Sequence, residues 1–204
     1  MVAGGLLLSP WVDLTSSQPS ILTKNNDFFE GPIESKEGKG YLFIDKLLMN
    51  APENLKEEIL NNGHFYTTEK YLKCPLVSPM YQDKFDRFPP IIITVGGEER
   101  FEDEVIVFAH KIKGYNQSRP NSSSITLHIY DEMIHVFQAL ESHPSSQKSF
   151  ELSSEFIKDC FNNNNEDTNG FWAYKVDVKQ NFNPVEYDIL KYNVAKPFSF
   201  NGEA

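Results

Sequence analysis

Two stretches of this chain end in residues that could move a proton. The apolar run Ile91-Ile92-Ile93-Thr94-Val95-Gly96-Gly97 leads into Glu98, Glu99, Glu102, Asp103 and Glu104. The run Ile125-Thr126-Leu127-His128-Ile129-Tyr130 leads through Asp131, Glu132, Met133 and Ile134 to His135. A carboxylate and an imidazole raised to one edge of a parallel sheet supply two members of a nucleophile, base and acid triad. The acid holds the ring's tautomer, and the ring takes the nucleophile's proton. The third member should lie upstream, yet no Gly-x-Ser-x-Gly occurs in the 204 residues.

His135 sits in a loop just past a strand, where a base could reach a hydroxyl. His64, His110, His128 and His143 lack that context and read as satisfied or solvated side chains. Five acids compete for the ring. Glu98 and Glu99 directly follow the strand's glycines, so both are better placed to reach back over the sheet edge than the three acids that open the next helix. The spacing alone leaves Glu98 and Glu99 open.

Those residues need a scaffold. Ile91 to Val95 is nearly all β-branched and ends at Gly96-Gly97, the pattern of a strand covered on both faces. Gly5 to about Ser9, stopped by Pro10, has the same character. Ile125 to Tyr130 alternates, which predicts a strand with one wetter face, near a sheet edge. Between the last two, Val105, Phe108, Ala109 and Ile112 recur at helical spacing behind an acidic first turn, closing at Gly114. Phe150, Ile157 and Phe161 predict the apolar stripe of a further helix ending before Asn162. Tyr41, Ile44, Leu47, Leu48, Leu55, Ile59 and Leu60 suggest two short helices joined near Pro52. The expected class is α/β, with about three parallel strands near 5–9, 91–95 and 125–130 and flanking helices. One domain over 1–161 includes a cap-like insertion at about 40–72. Residues 162–204, rich in Asn and aromatics, read as a disordered or loosely attached tail, or one that docks its rings on the body.

Composition narrows the function. With 29 acids against 19 bases the net charge is −10, which repels nucleic acid and anionic membrane surfaces. Leu6 to Leu8 and Ile91 to Ile93 are far shorter than the roughly 20 apolar residues of a membrane span. The first residues lack the pattern of a secretory signal. Cys74 and Cys160 lie far apart with no CxxC or Cys/His cluster, so two reduced thiols packed as small hydrophobes are expected, with a disulfide as the alternative, and zinc is not supported.

Leu8-Ser9-Pro10-Trp11-Val12-Asp13-Leu14, Pro75-Leu76-Val77-Ser78-Pro79-Met80-Tyr81 and Phe88-Pro89-Pro90 precede the acid strand or lead into it. With Gly96 to Glu104 and Glu132 to Gln138 they form an ordered set that resembles the C-terminal half of the hormone-sensitive lipase branch of the α/β-hydrolases. That branch includes arylacetamide-deacetylase-like and steryl acetyl hydrolase-like esterases. The resemblance covers about residues 4–160. It implies Glu99 as the acid, at the head of the motif acid-x-Leu-x-Asp-Glu with Phe101 in the leucine's place, Asp103 as a helix-start acid, and His135 as the base.

The resemblance implies carboxylic-ester hydrolysis on a small apolar ester, without metal or organic cofactor. It also implies that the Gly-Asp-Ser-Ala-Gly and His-Gly-Gly motifs belong before residue 5. The 204 residues alone are then expected to be inactive, a truncated piece with Gly5 to Ser9 as an exposed edge for a second chain. Different readings are a non-catalytic remnant or interaction module using that edge, and a serine peptidase on the same fold.

Overall fold

Residues 2–24, 52–54, 57, 64, 66–86, 88–117, 124–162 and 170–192 are described by a computed structural model of the protein. The strands are β1 (Gly5–Leu8), β2 (Ile91–Gly96), β3 (Ile125–Tyr130), β4 (Phe171–Val176) and β5 (Phe182–Pro184). They form one sheet in the order β1-β2-β3-β4-β5. The first four are parallel, with Leu8 opposite Thr94, Thr94 opposite His128 and His128 opposite Tyr174; β5 returns antiparallel. The described helices are the single turn α1 (Ser20–Thr23), α2 (Glu102–Gln117) and α3 (Pro144–Asn162). The α/β class holds, with the three strands where their apolar patterns put them.

Alternation along the strands divides the sheet into two differently built faces. Ile91, Ile93, Val95, Ile125, Leu127 and Ile129 are buried with Val105, Phe108, Ala109 and Ile112 of α2 in the main core. The opposite face carries Thr94, His128 and Tyr130, all buried. Beneath α3, Gln138 donates to Thr94 Oγ1 (2.9 Å) and to Ser149 Oγ (3.4 Å). This second layer is polar and buried. Burial lowers the His128 pKa to about 4, so its ring is held neutral.

Four expectations are corrected. β3 is not near an edge, because β4 and β5 pair beyond it, and its His128 is covered by Tyr174 and Phe182. The same two strands lie in the stretch 162–204, whose described part is no loose tail but packs Phe171, Tyr187 and Tyr192 against the core, as the docking alternative expects. Strand periodicity was hidden there because β4 alternates Trp172 and Tyr174 with Phe171 and Ala173, and both faces look apolar. α3 turns its serines inward: Ser145, Ser146, Ser149 and Ser153 are buried, whereas Phe150, Ile157 and Phe161 are exposed. Small side chains let the helix approach, and two of the serines satisfy themselves on carbonyls, Ser146 on Phe137 and Ser153 on Ser149 (both 2.7 Å). Gly114 does not end α2; it stands exposed inside the helix with open space around it.

Residues 40–51, with the first of the two expected short helices, lie outside the described residues, as does much of the cap-like stretch beyond them. Within that stretch Glu69–Tyr71 forms a single 3-10 turn. Cys74 and Cys160 are buried thiols rather than a disulfide.

Candidate active site

β2 and β3 end side by side, so the turns that leave them meet. Gly97 N–H donates to Tyr130 O (2.7 Å) and Glu98 N–H to Met133 O (2.9 Å), binding the acidic turn to the loop that carries His135. The approach is so close that a Cβ on Gly96 would lie 2.2 Å from Met133 O and 2.7 Å from Ile134 O. Glycine is required there for that contact, not for its φ.

The structure brings Glu99 and His135 together. Glu99 Oε2 lies 2.7 Å from His135 Nδ1, with the carboxylate fully buried and the imidazole 12% exposed. Oε1 accepts from Gly96 N–H (2.5 Å) and from the Ser9 hydroxyl (2.9 Å). Burial pushes the Glu99 carboxyl above the usual range. Its hydrogen bond to His135, the charge on that ring, the Gly96 N–H and the Ser9 hydroxyl all pull it back down. With Nδ1 committed to the carboxylate, proton acceptance from a hydroxyl falls to Nε2.

An aromatic series supports the ring from the side. Phe101 and His135 meet in a T-shaped contact with centroids 5.1 Å apart and planes at 89°, and Phe101 stacks on Trp11 at 5.6 Å. His64 and Tyr66 in turn pack on Trp11 at 5.7 and 5.6 Å. Phe101 therefore fills the leucine position of the resembled motif with a ring that touches the histidine. His64 is buried, which lowers its pKa.

The other acids do different work. Asp103 accepts from Ser20 N–H (2.7 Å), and its own N–H donates to Ser20 Oγ (3.2 Å), tying the α1 turn to the start of α2. Glu104 is fully buried and accepts from the N–H groups of Val12 (2.7 Å) and Asp13 (3.0 Å), fixing the chain after β1. Burial, reinforced by the Asp13 charge, drives the Glu104 carboxyl well above its ordinary range, against those two backbone donors. Glu102 pairs with Lys24 at 3.0 Å. Ser9, Trp11 and Gly96 were not singled out as site residues by sequence. Ser9 and Trp11 stood only as members of the resembled Leu8–Leu14 motif, and Gly96 as one of a glycine pair ending an apolar strand.

Among the described residues no group of three or more His, Cys, Asp or Glu could hold a metal ion, and no helix is long and apolar enough to cross a membrane.

The comparisons with known proteins follow the same lines. The crystal structure of an esterase/lipase from an uncultured bacterium superposes with a TM-score of 0.50 at 23% identity, covering 78% of this chain and 44% of that one. The likeness is one of fold, and the chain spans less than half the length of that structure. No curated protein matches the sequence. A family model described as the alpha/beta hydrolase fold matches residues 1–139, from before β1 through the His135 loop, and the chain belongs to that family.

Proposed function

We propose that these 204 residues are the C-terminal portion of a serine carboxylic-ester hydrolase of the hormone-sensitive lipase branch. They contribute the acid, Glu99, and the base, His135. The serine and the oxyanion donors come from a segment outside the 204 residues, which pairs along the outer edge of β1. His135 Nε2 takes the serine proton as the hydroxyl attacks the ester carbonyl. Collapse of the tetrahedral intermediate expels the alcohol, which leaves with that proton, and water then cleaves the acyl-serine by the same relay. Glu99 holds the imidazole through Nδ1 and stabilises the imidazolium. The substrate is a small apolar ester, and Trp11, His64 and Tyr66 border its pocket.

The observation that carries this reading is the 2.7 Å contact between Glu99 and His135 at adjoining ends of parallel strands. The oxyanion donors are commonly worth ~10²- to 10³-fold in rate each, so the 204 residues alone should not turn over p-nitrophenyl butyrate. The DNA upstream of Met1 should contain an in-frame Gly-x-Ser-x-Gly, and the longer product should hydrolyse the ester. Replacing His135 with Ala should reduce that turnover by about 10³-fold or more. Turnover that persists without the imidazole defeats the reading.

A further inference from the structure

We infer that Ser9 is a positioning residue for the Glu99–His135 pair, holding acid and base in register through one hydroxyl; this rests on the reading of that pair given above. The Ser9 Oγ donates to Glu99 Oε1 at 2.9 Å and accepts from the Val136 N–H at 3.1 Å. It thus joins the carboxylate to the backbone immediately after His135, while Oε2 of the same carboxylate bonds the ring. The hydroxyl has a donor and an acceptor role, and both are used by parts of the site.

The backbone is arranged for this contact. Ser9 N–H still donates to Thr94 O (2.8 Å), extending the ladder of β1 by one bond. The residue then turns to a φ of 44°, a left-handed conformation uncommon for a residue with a side chain. Val136, its other partner, has a φ of 51°. A β-branched residue in that region is under strain, and such strain persists only where surrounding contacts hold it. The Ser9 hydroxyl is one such contact. Ser9 is itself buried, with 3% of its surface exposed, so water does not readily replace the hydroxyl. The site therefore draws on three successive parallel strands: β1 leads into the positioning residue, β2 into the turn with the acid and β3 into the loop with the base.

Proton NMR of the 204-residue chain with ¹⁵N-labelled histidine and valine tests this without requiring turnover. The Nδ1–H of His135 on a buried carboxylate should give a downfield resonance protected from exchange with water. Glu99→Gln should abolish it; a resonance that survives shows that Glu99 does not hold the ring, and the underlying pair fails. If it is abolished, Ser9→Ala and Ser9→Gly decide the role of Ser9. Both remove the hydroxyl, but Gly also relieves the positive φ, so it folds even if Ala does not. The inference predicts about tenfold or faster exchange of both the His135 Nδ1–H and the Val136 amide in either variant, the loss expected for a bond to a charged group. Wild-type exchange at His135 in the folded Gly variant overturns it and leaves the pair intact.

Discussion

Glu99 and Glu104 are five residues apart, the same residue type and both fully buried, yet their surroundings put them to different uses. Glu104 meets only backbone donors, the N–H groups of Val12 and Asp13, next to another buried acid. It acts as a structural peg, its carboxyl raised well above the ordinary range by burial. Glu99 meets one backbone N–H, one hydroxyl and one imidazole, three donors that oppose the cost of burying its charge. A buried acid is a candidate for chemistry when its partner can itself gain or lose a proton, and a structural fixture when its partners cannot.

That contrast can be broken at either end. The largest effect should come from Gly96→Ala, which drives a Cβ into the Met133 carbonyl and separates the acid turn from the histidine loop. We expect a loss of about 4 kcal/mol by urea denaturation, with the Glu104 end unchanged. Glu104→Ala should cost about 3 kcal/mol, because two buried N–H groups lose their acceptor.

Glutamine variants sharpen the comparison through pH. A carboxyl whose folded pKa lies above its unfolded value contributes stability that is fully present below the unfolded value and lost as pH rises through the folded one. Glutamine imitates the protonated acid at every pH. Glu104→Gln should therefore match wild type in acid and become the more stable protein as pH rises through the raised Glu104 pKa. At position 99 the same gap should be smaller, since the upward shift is opposed by more donors. Equal gaps in pH-resolved urea melts would erase the distinction. The smallest effect should be Phe101→Leu, about 1 kcal/mol, with loss of the Trp11 stack and the edge contact to His135.

The legibility of the chain followed the chemistry of its two sheet faces. Where an apolar helix covers apolar strands, as α2 covers β2 and β3, periodicity located the helix and both strands, though not the end of α2 beyond Gly114. Where α3 covers the other face, burial is carried by Ser145, Ser146, Ser149 and Ser153 against Thr94, His128 and Tyr130, and a hydrophobicity pattern points the helix the wrong way round. β4 was hidden for a related reason, its aromatics on both faces leaving no alternation to see. In the site, Glu99 and His135 were visible as acids and a histidine just beyond strands, though choosing Glu99 over Glu98 required the resemblance. Ser9 was not visible as a site residue, because its contribution depends on a left-handed φ and on two partners 90 and 127 residues away.

The central claim is that Glu99 and His135 act as one unit in ester hydrolysis. Its most direct test is a double-mutant cycle on kcat, with Glu99→Gln, His135→Ala and both together in the longer, serine-bearing product proposed above. Residues that act as a unit lose their effect together. The account predicts about a 10³-fold fall for each single variant and a double variant no slower than His135→Ala alone. Losses that multiply in the double variant would contradict it.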